Sequence, residues 1–343
     1  MQKNVTFDDI ARYTNFSKTT ISRYFNKPQT LTARNRAIIR QALLDLDYKE
    51  NKVAKILAKG KTDIVGVLLP NLYLHYFSEM LSQILATYEE FGYQFLVLAG
   101  QDDPKTEKKY IENLLSYQVE GLIVMNHPVS SRELADLNIP VVTIEREDEF
   151  VSSVNCDNYM GAYQAAGLLA KHGCDVLIHF NTPTSEKLPS FQRITGFTDF
   201  CTENSLKHEV IIRGSENNYN AFTGILTDLL EELDRKYPNQ KKGIFFSDDT
   251  RANVFLNALV RKYKTLPEDY RIVGFDNSPI AEQSVYSLST VGQQISVIAR
   301  NAVELLHEQI LFRRKNGPDM PLPVTHKVIT PVLYRRETTE GVL

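Results

Sequence analysis

Read from its N-terminus, the chain opens with three short segments of helical periodicity. Thr6 stands before Phe7-Asp8-Asp9-Ile10-Ala11, where its hydroxyl can cap the first free amides while the two aspartates suit the positive end of a helix dipole. Val5 and Ile10 have the spacing of a hydrophobic staple. A break follows at Thr14-Asn15-Phe16, and Asn enters the left-handed region at small cost, as a sharp turn demands. Ser17 then caps a second helix running to about Phe25. The segment Thr30 to Thr32 restarts a third, in which Ile38, Ile39, Ala42, Leu43 and Leu46 recur at helical spacing. Three short helices with a tight turn between the first two predict an all-α helix-turn-helix unit over residues 1–48.

From Asp63 onward the rhythm changes. The short apolar runs DIVGVLL, YQFLVLA, VEGLIVM and VVTI alternate with helical patterns near 76–91 and 104–117, and the alternation resumes in DVLIHF, EVIIR, GIFFS and YRIVGF. Continuous apolar strands between helices are the signature of parallel sheets covered on both faces. For about 280 residues the natural solution is α/β: two doubly wound parallel-sheet subdomains facing a cleft.

Charge sharpens this division. The whole chain of 343 residues carries −3, yet residues 1–61 hold 13 Lys and Arg against 5 Asp and Glu, a local +8 that leaves −11 for the rest. A basic end on an acidic body points to an anionic partner, nucleic acid or a membrane surface. The helix-turn-helix pattern selects nucleic acid. In such a motif the second helix enters the major groove; here Ile21 and Phe25 face inward and Lys18, Thr19, Ser22 and Arg23 outward. Arg23 is the strongest base-reading candidate because a guanidinium can donate two bonds to guanine, the alternative being phosphate contact only.

Three cysteines, Cys156, Cys174 and Cys201, without CxxC spacing suggest reduced core thiols, with neither a disulfide framework nor a metal site. The start MQKNVTFDDI lacks a secretory pattern, and no apolar run nears the roughly 20 residues of a membrane span, so a cytoplasmic protein without membrane contact is expected. No P-loop, GxGxxG, HExxH or GxSxG appears, and adjacent Asp248-Asp249 do not by themselves make an acid-base pair. Neither catalysis nor a cofactor is expected.

The segment VTFDDIARYTNFSKTTISRYFN resembles the headpiece of the LacI/GalR (lactose-repressor/galactose-repressor) family, with Thr6, Ala11, Ser17, Thr20, Ser22, Arg23 and Asn26 on matching positions. Thr14-Asn15 replaces the usual Ala-Gly of the turn, and Tyr24-Phe25 replaces smaller aliphatics. Residues 49–62 resemble the family's hinge, with Asn51, Val53, Ala54, Leu57 and Ala58 matching. There the resemblance implies a short helix that forms on operator DNA and wedges Leu57 into the minor groove, where unstacking costs a few kcal/mol; the plain alternative is an amphipathic linker. A helix this short is marginal alone. DNA contacts are therefore expected at Thr6, Ser17, Lys18, Thr19, Thr20, Ser22, Arg23, Asn26, Asn51, Ala54 and Leu57.

Residues 63–343 resemble the family's effector domain, itself similar to periplasmic sugar-binding proteins. The landmarks are Asp157-Asn158 with Gly161, Arg193-Ile194-Thr195-Gly196, Ser247-Asp248-Asp249, Val273-Gly274-Phe275-Asp276 and Leu288 to Gln293. The resemblance implies an N-subdomain of about 63–159 and 293–321, and a C-subdomain of about 160–292 and 322–343 that includes the last strand THKVITPVLYRR. Crossings would fall near 158–162, 288–293 and 321–324. It also implies a sugar site: Arg193, Asp248 and Asp276 on hydroxyls, Tyr219 stacking on the ring, and Gln293 and Glu145 at the cleft edge. Asp248 could instead simply cap a loop. Tyr73, His75, Tyr76 and Phe77 follow the first strand; Tyr76 would line an aromatic subsite or merely pack.

HYFSEML, KHGC and FFSDD further resemble repressors of sucrose and related saccharide operons from low-GC Gram-positive bacteria. The expected function is thus a dimeric repressor on a pseudo-palindromic double-stranded operator, released by a small sugar. A corepressor-dependent regulator is the alternative, and a solute-binding protein the remote one.

Overall fold

The computed structural model describes residues 5–49, 61–100, 103–125, 128–214 and 219–341, the side chains of 219–222 excepted. The chain divides into two compact units, Met1–Lys61 and Thr62–Leu343.

The small unit contains α1 (Phe7–Thr14), α2 (Lys18–Asn26) and α3 (Ala33–Asp45). Each starts on the residue whose side chain can satisfy a free amide. Thr6 accepts from the Asp9 amide while the Asp9 carboxylate accepts from the Thr6 amide, a reciprocal cap. Ser17 and Thr32 cap α2 and α3. Asn15 takes the left-handed conformation at φ 57° and so permits the turn into α2. The core is small: Ile10, Ile21 and Ile39 are fully enclosed, with Ala42 beside them, whereas Ile38 of the expected apolar face points partly outward. The Tyr24-Phe25 departure is absorbed by an aromatic cluster. Phe25 stacks on Phe7 with centroids 5.1 Å apart and meets Tyr48 at 5.7 Å.

The large unit holds two six-stranded sheets. The first contains β1 (Ile64–Leu69), β2 (Gln94–Ala99), β3 (Gly121–Met125), β4 (Val141–Ile144), β5 (Ser152–Cys156) and β11 (His326–Ile329), in the order β11-β5-β4-β3-β1-β2 and parallel throughout. The second contains β6 (Val176–Asn181), β7 (His208–Ile212), β8 (Lys242–Phe246), β9 (Tyr270–Asp276), β10 (Ser289–Gly292) and β12 (Val332–Tyr334), in the order β12-β10-β9-β8-β6-β7, with β12 alone antiparallel. Helices cover the faces. The helix Ile295–Asn316 lays Ile298, Ala302, Val303, Leu306 and Ile310 on the first sheet, each such burial contributing about 1.5–3 kcal/mol for the large side chains. The helices Asn158–Lys171 and Gln192–Glu203 pack together against the second sheet.

Two expectations need correction. Residues 322–343 do not all belong with the second sheet: THKVITPVLYRR breaks at Thr330-Pro331, its first half joining the first sheet as β11 and its second half joining the other as β12. The last crossing therefore lies near 330–331 rather than 321–324. A proline has no amide to donate to a ladder, so one strand ends and another begins at Pro331. The pattern over 76–91 is also broken, into helices His75–Ala86 and Tyr88–Phe91.

Gly196 explains the preserved Arg-Ile-Thr-Gly step. A Cβ there would run into the Tyr159 carbonyl of the neighbouring helix, a backbone atom that cannot swing aside. Gly196→Ala should therefore destabilise the large unit by about 1–3 kcal/mol or more through overpacking, read as a lower urea midpoint with an unchanged m-value; an unchanged midpoint would mean the two helices are free to separate.

Candidate functional site

Two sets of expected residues were placed on different units. On the small unit, the hydroxyls of Thr6 and Ser17 are committed to helix capping, and Ser17 Oγ lies 2.9 Å from Thr20 Oγ1. Lys18 Nζ reaches back 2.9 Å to the Asp8 carboxylate, an exposed ion pair between α1 and α2. Asn26 Nδ2 donates to the Ser22 carbonyl at 3.0 Å, steadying the end of α2. Thr19 and Arg23 stand exposed on the same helix. Asn51, Ala54 and Leu57 lie outside the described residues.

On the large unit a cleft of about 380 Å³ opens beyond the carboxyl ends of both sheets, where strands of the two sheets point their last residues at one space. Glu145 follows β4, Asp276 ends β9, Ser247-Asp248 follow β8 and Gln293 follows β10. Arg193, on the first turn of its helix, also reaches the cleft. Tyr76, from the helix after β1, and Phe77 form an apolar wall. The structure thus brings Tyr76, Glu145, Arg193, Asp248, Asp276 and Gln293 together. Tyr219 begins the helix Tyr219–Lys236, but its side chain is not among those described.

Arg193 is the organising group. Only 7% exposed, its Nε donates to Asn158 Oδ1 at 2.7 Å and its NH1 to the Ser247 carbonyl at 2.7 Å, while NH2 stands 3.6 Å from Glu145 across the cleft. The guanidinium also lies 3.9 Å above the Phe275 ring, which receives it on a face of negative potential. Gly161 lets the ring sit this close, because a Cβ there would meet Phe275 Cε2 at 2.8 Å. Tyr76 Oη donates to Glu145 Oε1 at a long 3.4 Å.

Gln293 and Glu145 are floor residues rather than edge residues, at 1% and 7% exposure. Gln293 Nε2 donates to Asp276 Oδ1 at 2.7 Å, and its own Oε1 is buried with no protein donor. A buried acceptor in that condition calls for a donor from a ligand or water. Asp276 sits well above the usual carboxylate range because burial disfavours its charge, although Arg193 opposes the shift.

Asp248 and Asp249 have separate tasks. Asp248 caps the helix Asp249–Tyr263 by accepting from the Arg251 amide at 2.9 Å, pairs with the Arg251 guanidinium, and still lines the cleft, so capping and cleft placement coexist. Asp249 is fully buried behind it, accepting from Ser278 N at 2.8 Å, Ser278 Oγ at 3.0 Å and Thr290 Oγ1 at 2.5 Å. Arg251 and Phe275 were not expected at the cleft, although Phe275 falls within a family landmark. The first had a readable signal, an opposite charge three residues from Asp248 in a first helical turn. The second had none, since an aromatic ending a strand reads as core.

His75 ties the two halves of the cleft, its Nδ1 lying 2.9 Å from Thr250 Oγ1, and Tyr73 packs against the core of the second sheet. Among the described residues no helix is long and apolar enough to cross a membrane.

Residues 166–339 match the family model of the periplasmic binding protein-like domain. The chain is 28% identical over 337 residues to the ribose operon repressor of Halalkalibacterium halodurans, covering 98% of this chain and 97% of that protein. It is 27% identical over 320 residues to the sucrose operon repressor of Streptococcus mutans, covering 92% and 96%. The crystal structure of the lac repressor dimer bound to operator and the anti-inducer ONPF is similar with a TM-score of 0.80 at 21% identity, covering 98% of this chain and 99% of that one.

Burial pushes the Asp249 carboxyl up to about 7, against the three hydrogen bonds that pull it down. Between about pH 4 and about 7 the folded chain then keeps a proton that the unfolded chain has released, so this group makes stability fall as pH rises through that window and is level above it. Urea unfolding across the window should show a steeper fall for the wild type than for Asp249→Asn. Parallel profiles would mean the hydrogen bonds hold Asp249 ionised.

Proposed function

Because the chain belongs to the LacI/GalR family, its larger unit carrying the periplasmic binding protein-like domain, we propose that it is a sugar-responsive repressor of a carbohydrate operon. It binds a pseudo-palindromic operator as a dimer and leaves it when a small sugar occupies the cleft. The observation that carries this reading is the floor of the cleft, where Arg193, Glu145, Asp276 and an acceptor-ready Gln293 converge from both sheets. Hydroxyls that donate and accept at once suit such a mixed set, and Tyr76 with Phe77 offers an apolar flank to a ring.

The charge balance favours a neutral sugar. Arg251 is matched by Asp248, Arg193 by Glu145 and Arg213 by Glu232, which leaves little positive field for a phosphate. Asp248 accepts hydroxyl donors at the cleft wall, and Tyr219 stacks on the ring. On the headpiece, Arg23 reads base edges; Thr19 and Ser22 add less selective contacts; Lys18, Thr6, Ser17, Thr20 and Asn26 hold phosphates or the helix itself. Asn51, Ala54 and Leu57 contact DNA, Leu57 as a wedge in the minor groove. The protein is a cytoplasmic regulator rather than an enzyme, and its ligand must bind one closure state of the cleft better than the other to act at all.

Thermal denaturation against ribose, sucrose, fructose and glucose 6-phosphate tests the ligand class. A neutral sugar at a hundredfold its Kd should add about 2.7 kcal/mol of stability, and Arg193→Lys or Asp276→Asn should remove the shift. Stabilisation by the phosphosugar alone would overturn the neutral assignment. For the headpiece, Arg23→Ala should cost about 1–3 kcal/mol on the operator and relax discrimination at one base position; equal weakening on all DNA would make Arg23 a phosphate contact.

A further inference from the structure

The point where the chain enters the large unit is held by several partners. Asp63 has a left-handed backbone at φ 51°, which Asp enters at modest cost, and several partners fix it there. Its amide donates to Glu120 Oε1 at 2.9 Å, its carbonyl accepts from the Gln94 amide at 2.8 Å, and its carboxylate accepts from Arg314 NH2 at 3.0 Å. Thr62 Oγ1 donates to the Gln118 carbonyl at 2.8 Å. Arg314 also pairs with Glu120, so one guanidinium braces both the entering residue and the carboxylate that holds its amide.

Arg314 lies in the last turn of the helix Ile295–Asn316. At 1.5 Å per residue, these 22 residues span about 33 Å. The other end of the same helix, at Ile295, is separated only by Gln294 from Gln293, whose amide group bonds Asp276 on the floor of the cleft. Between the ends the helix is seated on β3, where Gly121, next to Glu120, leaves room for Leu306: a Cβ there would lie 2.9 Å from Leu306 Cδ1.

We infer that Arg314 is a positioning residue, and that the Asp63–Glu120–Arg314 clamp receives the state of the cleft through the helix Ile295–Asn316 and sets the direction in which the linker leaves the sensor. This inference rests on the repressor reading above. A displacement of Gln293 on ligand binding moves the start of a helix whose end holds the linker root, and a packed helix passes the movement along its axis rather than absorbing it. DNA affinity then depends on Arg314 although Arg314 touches neither ligand nor DNA.

The full-length protein is used to enrich a duplex from a randomised pool, and Kd is measured for that duplex and for random-sequence DNA. Arg314→Ala should weaken the enriched duplex about tenfold with random DNA unchanged, and Arg314→Lys should recover part of the loss. Arg300→Ala, which breaks an exposed ion pair with Glu90 on the same helix, should change neither. Sites this far apart are normally additive. The Gln293→Ala, Arg314→Ala double variant should nonetheless depart from the product of the single effects by about threefold or more. Glu120→Gln takes the place of Arg314→Ala if the latter fails to fold. Additivity within about twofold, or equal loss on random DNA, overturns the inference. A wild type that enriches no duplex would instead overturn the repressor reading, a separate result.

Discussion

A cation buried where two half-domains meet is the constraint around which the sensor is arranged. Arg193 cannot be left uncompensated, because an unpaired buried charge costs about 3–5 kcal/mol. Its compensation comes from Asn158, the Ser247 carbonyl and Phe275 on one side and from Glu145 on the other. The 3.6 Å to Glu145 is the longest of the polar contacts, which makes it the natural place for a ligand hydroxyl to intervene. Any group that enters there exchanges a protein–protein interaction for two protein–ligand ones. The relative placement of the halves and the occupancy of the cleft are therefore the same electrostatic problem.

Much of this architecture was legible because the relevant patterns are local. Capping residues Thr6, Ser17 and Thr32, the Asn15 turn and the apolar runs of β1, β3, β4, β8 and β9 all announce themselves within a few residues. β5 did not. Its sequence Ser-Ser-Val-Asn-Cys reads as a loop, yet every residue is buried, because Ser152 bonds Gln309, Ser153 bonds His326 and Asn155 bonds Glu147. Polar strands of this kind are stable only through partners far away in sequence. The break of the last apolar run into β11 and β12 was hidden for a similar reason: which sheet a strand joins is a tertiary choice. In the cleft, family resemblance pointed to Arg193, Asp248, Asp276, Gln293, Glu145 and Tyr219, but the depth of Gln293, the capping by Asp248 alongside its place in the cleft and the ring beneath Arg193 are tertiary features that no local pattern carries.

Several residues around the cleft take a left-handed backbone. Glu145, Asp276, Asn277 and Gln294 have φ of 63°, 112°, 51° and 58°. Asn tolerates this cheaply, whereas Asp276 at 112° lies outside the compact left-handed region, and such strain costs about 1–3 kcal/mol per residue. These are the residues at which strands of both sheets turn into the cleft and at which the long helix begins. Other left-handed residues, Gln118, Ser205 and Lys264 among them, stand at helix ends elsewhere in the large unit, and the Asp63 root, also left-handed, is fastened from three sides.

The break at Thr330-Pro331 has a consequence for how the protein is made. Each sheet takes its outermost strand from within ten residues of the other's, β11 for one and β12 for the other, and Thr338 and Thr339 then seal the end of the second sheet against Ser289. Neither half of the sensor therefore has its full set of strands until residues 326–334 have been made. The two halves thus become whole almost together, through one short stretch of chain, rather than one after the other.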